Sequence, residues 1–266
     1  MLNELISETN TQIPIVACVN GEEVTLTQMV RQMGVADNLA FFDLFARQIL
    51  IRQLAEKEGI VVSAESLQDK VDEWRYQRKL EQVEDTEVHL MQRGITLQDV
   101  VEDVTFKRLE YLLSVHVTAG KIESYFMQNK LDFDMADVCW IFVKDEDVAE
   151  ELFLQISEDG ADFYALARRY SSDEATRASS GYLGRLRRKQ LPKGIASRVF
   201  ASDIEKIVGP EKVVGGYALY MLQNFYPAKL NTRVQKEIRK RLFNQWLQRE
   251  LRQADITYPI REIKLI

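Results

Sequence analysis

Histidine, cysteine and proline are scarce in this chain of 266 residues, at two, two and five, beside twelve glycines. With so few breakers and a 46% hydrophobic fraction, general disorder is excluded and long regular elements are expected. Cys18 and Cys139 lie far apart and in no C-x-x-C arrangement. That spacing fits two reduced structural thiols rather than a disulfide or zinc framework. No glycine-rich phosphate loop, H-E-x-x-H or G-x-S-x-G elbow occurs, which weighs against hydrolases and kinases. No metal and no cofactor is expected. No stretch approaches about 18 uncharged apolar residues, so no membrane span is expected either. Positive charge is in deficit, 35 Lys and Arg against 41 Asp and Glu for a formal charge of −6. That balance argues against nucleic acid as a partner and favours protein. The first eleven residues carry Glu4 and Glu8, no basic cluster and no apolar run of export-signal length, so a cytoplasmic location is the expectation.

What the chain does contain changes character halfway along. Ile15-Val16-Ala17-Cys18-Val19 followed by Asn20-Gly21 reads as a strand and a turn that accepts positive φ. Thr25 with Gln28 three residues on has the form of a capping box, opening a helix that Gly34 ends. Asp37 then caps a longer helix through Lys57, whose Phe41, Phe42, Phe45, Ile49, Leu50 and Leu54 spread over more than one face, as in a bundle. Beyond Glu58-Gly59, Ser63 caps a helix with Leu67, Val71 and Trp74 on its apolar stripe, and helical spacing continues over 84–92, 96–115 and 118–130.

Past Asp134 the continuous apolar run Val138-Cys139-Trp140-Ile141-Phe142-Val143 suits a central strand. Helices over 146–158 and 163–170 follow, with strands near 182–186, 204–208 and 217–225. Residues 232–253 then form an amphipathic helix with Val234, Ile238, Leu242 and Trp246 inward. The expected organisation is a helical domain over 1–134, an α+β domain over 135–227, and a C-terminal helix and tail over 228–266.

Several short motifs fall at compatible spacings in the second domain. Gly160-Ala161-Asp162-Phe163 with Ala165-Leu166-Ala167 and Tyr170-Ser171 resembles the start of the second helix of parvulin-type prolyl isomerases. Ile141-Phe142-Val143-Lys144, Ser180-Gly181-Tyr182-Leu183-Gly184, Gly209-Pro210 and Gly216-Tyr217 extend the match over about residues 135–226. The flanks are similar to the helical halves of SurA- and PrsA-type foldases. The resemblance implies an α+β fold in which a parvulin-like domain, with a four-stranded antiparallel sheet and helices, is inserted in a helical chaperone-like domain. That helical domain includes the C-terminal helix, which packs on the N-terminal helices.

Rotation about an X-Pro bond leaves amide resonance and faces a barrier near ~20 kcal/mol. Parvulins lower it with an apolar proline pocket and two facing histidines that hold a neighbouring Cys or Asp. Placed on the motifs of this sequence, the first histidine falls at Trp140 and the second at Ala218. The Met and Phe of the pocket fall near Leu191 and Ile195, the last pocket aromatic near Gly215, and Asp173 alone keeps the family's acid type. The resemblance thus implies Asp173 as the one remaining catalytic position, with Trp140, Leu183, Leu191, Ile195, Phe200 and Ala218 as peptide-binding residues. Read from its own polar surroundings, Asp173 is instead a solvated or capping residue. His89 and His116, both in the helical half, do not replace the lost pair.

Arg185, Arg187, Arg188 and Lys189, with Lys193 and Arg198, form the sharpest charge cluster. It reads as a solvated strand edge, or alternatively as a basic rim that favours acidic peptides. Three functions remain open. The first is a chaperone or escort that binds unfolded or precursor polypeptides with little or no isomerase activity, and the second is a slow prolyl isomerase. The third is a structural subunit partnered with a secretion or assembly machinery.

Overall fold

The computed structural model describes residues 14–36 and 40–257, which leaves the expected cap Asp37 and the first eleven residues outside. The chain divides into two units, 1–117 with 243–266 and 118–242, so the second is inserted in the first.

In the first unit, β1 (Ile15–Val19) and β2 (Glu22–Thr25) form the hairpin that the Asn20-Gly21 pair predicts, with φ of 52° and 88° at the turn. Thr25 and Gln28 close the capping box at the start of α1 (Leu26–Val35). α2 (Ala40–Lys57), α3 (Ala64–Gln77), α4 (Val83–Arg93) and α5 (Leu97–Thr118) follow, and Ser63 caps α3 as its position predicts. Two apolar cores hold these helices. Leu90, Val100 and Val104 pack with Leu67, Val71 and Trp74. Ile51, Ala55, Phe106 and Leu113 pack with Phe243 and Leu247 from the C-terminal helix.

The second unit opens with α6 (Ile122–Gln128), shorter than expected because α5 continues through Thr118 and Gly120, at φ 68°, turns the chain. It continues through β3 (Met135–Val143), α7 (Glu146–Ser157), α8 (Phe163–Tyr170), α9 (Glu174–Arg177), β4 (Tyr182–Arg187), α10 (Lys193–Val199), β5 (Ile207–Val213) and β6 (Gly216–Tyr226). α11 (Thr232–Gln253) closes it and carries on into the first unit. The four strands form an antiparallel sheet in the order β4-β3-β6-β5.

β3 carries the unbroken apolar run 138–143 because both its faces are covered. Ala136 and Val138 join Leu191, Ile195, Val199, Phe200, Ala218 and Tyr220 on one face, under α10. Cys139, Ile141 and Val143 join Leu152, Phe163, Leu219 and Met221 on the other, under α7 and α8. Along α11, Val234 and Ile238 pack with Ile122, Phe126 and Phe133, and the next turns supply Phe243 and Leu247 to the other unit.

β5 and α10 also differ from expectation. β5 lies at Ile207–Val213 rather than 204–208, and it runs past Gly209-Pro210 through a register shift between Val208 and Glu211. An edge strand tolerates a proline at such an irregularity, although the residue breaks the sequence pattern. α10 has no expected counterpart. Ile195 and Val199 stand at i and i+4 after Pro192, a helix signal in a stretch too short for periodicity to declare itself.

Candidate functional site

Trp140 lies on the α10 face of β3, and its backbone is fixed by an unusual approach. Its N–H donates to Gly181 O at 2.8 Å, and a Cβ on Gly181, whose φ is 80°, would stand 2.1 Å from Trp140 O. Only glycine fits there. The loop after α8 is stitched to the same strand: Ser172 N donates to Phe142 O at 2.7 Å, and Phe142 N donates to the buried Ser171 Oγ at 3.3 Å. Those bonds bring Asp173 under the indole.

Trp140 Nε1 donates to both Asp173 Oδ2 and Thr176 Oγ1 at 3.0 Å, and Thr176 Oγ1 donates onward to Asp173 Oδ2 at 2.5 Å. Asp173 is also the N-cap of α9, its Oδ1 accepting from Ala175 N at 3.3 Å. The hydroxyl of Thr176, then the indole and the capping amides, hold the Asp173 carboxyl below its ordinary range against the opposing effect of burial. The group is an ionised cap and acceptor. Its capping role is the one its polar surroundings predicted, and Thr176, the third member, was not anticipated. The Asp-x-x-Thr spacing alone does not distinguish this arrangement from an ordinary loop.

The half-buried indole stacks on Phe142 at 5.7 Å between ring centroids and leans on Tyr220 at 6.0 Å, its register partner on β6. Burial pushes the Tyr220 hydroxyl up to about 12, with the Glu211 charge adding to it. The other residues singled out in the sequence converge on the same face. Leu191, Ile195, Phe200 and Ala218 are buried in one cluster, and Leu183 packs against it with Trp140. Ala218 has no exposed surface. Gly215 lies 3.7 Å, as a notional Cβ, from the Phe142 ring. These side chains hold α10 onto the sheet, and accessible apolar surface is left to neighbours such as Phe142 and Phe225.

A second polar group, missed in the sequence, centres on buried Asp137. It accepts from Arg185 Nε at 2.9 Å, from the Tyr226 hydroxyl at 2.7 Å, and from Asn224 Nδ2 and the Tyr182 hydroxyl at 3.3 Å. The Arg185 guanidinium brings its carboxyl down to about 2. On the same sheet face Cys139 is a free buried thiol whose Sγ lies 4.0 Å from Gln223 Oε1. Burial, helped by the Asp137 charge, raises it to about 11, which leaves it protonated and inert.

The histidines belong to the first unit. His89 packs edge-on against Trp74 and meets Arg93 Nη1 at 3.1 Å, and His116 Nε2 lies 3.1 Å from Glu58 Oε2. That unit also has an open groove of about 590 Å³ between α3, α4 and α5, lined by Leu67, Val71, Val83, Leu90, Leu97 and Val101 among others. Among the described residues no group of His, Cys, Asp and Glu is placed to hold a metal ion, and no helix is long and apolar enough to cross a membrane.

Comparison with known proteins agrees with this geometry. Residues 144–224 match the family model of the rotamase, or PPIC-type PPIase, domain. The chain is 28% identical over 177 residues to the foldase protein PrsA of Caldanaerobacter subterraneus subsp. tengcongensis, covering 66% of this chain and 53% of that one. It is 24% identical over 216 residues to the foldase protein PrsA of Halalkalibacterium halodurans, covering 77% and 63%. This chain therefore spans under two thirds of the length of these relatives. The crystal structure of the peptidylprolyl isomerase PrsA from Bacillus cereus aligns over 92% of this chain and 94% of its own, at 19% identity and a TM-score of 0.48. Residues 144–224 thus form a domain of the PPIC type, and over its longer span the chain is similar to PrsA foldases.

Proposed function

We propose that this protein is a polypeptide-binding chaperone or escort that acts on unfolded or precursor chains with little or no prolyl isomerase activity. The observation that carries the reading is the state of the two family histidine positions. Trp140 is locked by its indole N–H to Asp173 and Thr176, and Ala218 is sealed in the core. No imidazole is supplied by the second unit, since the chain's two histidines belong to the first. A twisted amide therefore finds no paired histidines on this face. Binding has separate support in the apolar groove of the first unit and in the exposed Phe225 and Tyr182 of the second.

The retained apolar residues Leu191, Ile195 and Phe200 favour a second reading, a slow isomerase that works by desolvation alone. One pair of measurements separates the two. A labelled unstructured polypeptide is titrated with the full chain, and Xaa-Pro isomerisation is followed in a coupled assay. Binding with turnover no faster than the uncatalysed rate supports the chaperone. Turnover that disappears in Leu191→Ala reverses the ranking, and absence of binding defeats the first reading.

A further inference from the structure

Three cations of the basic cluster that stands out in the sequence are spoken for, since Arg185, Arg187 and Arg198 pair with Asp137, Glu237 and Glu211. The chain's surplus of negative charge is disposed differently. Residues 64–107, which span α3, α4 and the first half of α5, hold eleven Asp and Glu against six Lys and Arg, a net −5 out of the chain's −6. These are the helices that enclose the open groove of about 590 Å³ in the first unit.

The groove has an apolar floor and a partly apolar mouth. Buried Leu90 and half-buried Leu67 and Val71 line the floor, where α3 packs on α4. Val83 and Leu97 line the mouth and are 60% and 50% exposed. Large apolar side chains that face water beside a cavity of this size are surface for an apolar segment to cover.

The charge around that mouth is of one sign. Five of the six cations are engaged within the helices. Lys70 pairs with Glu73 and Lys107 with Asp103, while Arg75 reaches Asp72 at 3.6 Å and the Glu81 carbonyl at 3.0 Å. Arg78 lies over the Trp74 ring at 4.5 Å, and Arg93 Nη1 meets His89 at 3.1 Å. Carboxylates are left over. Glu87 lines the groove, is exposed, and pairs with no cation among the described residues. The same holds for Glu84 and Asp85 on α4 and for Glu65 and Asp69 on α3. Such a surplus sets a negative potential over the groove, which favours a cationic occupant and disfavours an anionic one.

We propose that the groove between α3, α4 and α5 takes a short apolar segment of an unfolded polypeptide that is flanked by Lys or Arg, with the apolar side chains against Leu67, Val71 and Leu97 and the cation at Glu87. This specificity rests on the binding function argued above and adds to it the chemical class of segment selected. Apolar contact supplies the affinity, and the carboxylates choose among apolar segments.

The test uses the full chain and three labelled, unstructured peptides that are identical except for Leu-Lys, Leu-Gln or Leu-Glu at one site. Fluorescence anisotropy is expected to rank them in that order, with about threefold between successive peptides at low salt, the worth of one exposed ion pair, and with the ranking lost at high salt. Glu87→Gln is expected to remove at least half of the preference for Leu-Lys over Leu-Gln on a logarithmic scale. Asp159→Asn, the same change of net charge made in the second unit, is expected to leave the preference intact. Leu97→Gln, at a half-exposed position, is expected to weaken all three peptides at least about threefold. Equal binding of the three peptides overturns the assignment and leaves the binding function in place. So does a preference that survives Glu87→Gln or falls equally in Asp159→Asn, and so does an affinity unchanged in Leu97→Gln. Sedimentation of the chain as a dimer that Leu97→Gln dissociates gives the groove to a second copy and overturns the assignment as well. If no peptide binds the unaltered chain, the binding function falls and the assignment falls with it.

Discussion

The indole N–H of Trp140 lies 3.0 Å from Asp173 Oδ2, so the two positions to which the parvulin resemblance assigns the first histidine and the acid are bonded to each other. The pair makes a polar link across the face of the sheet that contains no group titrating near neutrality. Asp173 serves here as an acceptor and a helix cap.

Trp140→Phe tests that link. Phenylalanine keeps the stack on Phe142 but removes the donor to Asp173 and Thr176, and the loss of one such bond costs about 1 kcal/mol. Denaturant unfolding is expected to report that loss. Because Thr176 is the largest influence on the Asp173 carboxyl and Trp140 contributes below it, the Asp173 pKa measured by NMR is expected to rise only part of the way toward its ordinary value.

Gly181→Ala is expected to be far more damaging than its size implies. The added Cβ meets Trp140 O at 2.1 Å, and the residue sits at φ 80°. Relief requires separation of β3 from β4 where Trp140 N bonds Gly181 O. A destabilisation of about 2–4 kcal/mol is expected, seen as a lower unfolding midpoint. Alanine at Gly160, where nothing lies within 4 Å but φ is also positive, should cost about 1 kcal/mol and serves as the comparison.

Asp137 sets an acid limit on the second unit. Its folded pKa of about 2 lies below the unfolded value, so the unfolded chain binds the extra proton first as pH falls. The stabilisation is fully present above about pH 4 and is lost as pH falls through 4 toward 2. Asp137→Asn removes the charge that Arg185, Tyr226 and Tyr182 surround, and is expected to cost about 2 kcal/mol at pH 7. The variant is also expected to flatten the stability profile across that acid window.

Much of this architecture was legible because local chemistry and tertiary context agree. Thr25 and Gln28, Ser63, and the Gly-Ala-Asp-Phe start of α8 each specify a local geometry that packing leaves unchanged. β3 announced itself through its apolar run 138–143, and Leu191, Ile195, Phe200 and Ala218, read from the resemblance as peptide-binding, meet in one buried cluster. The features that escaped depend on partners distant in sequence. Asp137 reads as an ordinary strand-edge carboxylate until Arg185 and Tyr226 arrive from neighbouring strands. The arginines read as a solvated strand edge or a basic rim until Asp137, Glu237 and Glu211 claim three of them. β5 was misplaced because Pro210 interrupts the alternation by which a strand is recognised.

The pairing of Arg187 with Glu237 joins β4 to the first half of α11, and the Arg187 side chain is only 15% exposed. The guanidinium also lies over Phe133 at 5.6 Å. A double-mutant cycle with Arg187→Gln and Glu237→Gln is expected to give a coupling energy of about 1 kcal/mol, above what an exposed pair supplies. Arg187→Gln alone is expected to cost more than Glu237→Gln, because it also removes the contact with the ring. Equal costs would place the whole effect in the ion pair.

Placing imidazoles at the two positions that the resemblance assigns to the family's histidines asks directly whether isomerase chemistry follows from two substitutions. Trp140 and Ala218 lie on adjacent antiparallel strands, with Trp140 opposite Tyr220 and Ala218 opposite Phe142, so the two positions occupy one face two residues apart in register. Trp140→His frees space beside Asp173 and Thr176, whereas Ala218→His inserts a ring into a position with no exposed surface and is expected to cost about 1–3 kcal/mol by overpacking. The double variant is accordingly expected to unfold at a lower midpoint, yet to accelerate Xaa-Pro isomerisation at least about tenfold over the unaltered chain in the coupled assay. Each single variant is expected to stay near the unaltered rate, since one imidazole lacks its facing partner. A folded double variant with no gain in turnover would show that Leu191 and Ile195, drawn into the core under α10, no longer leave room for a proline ring.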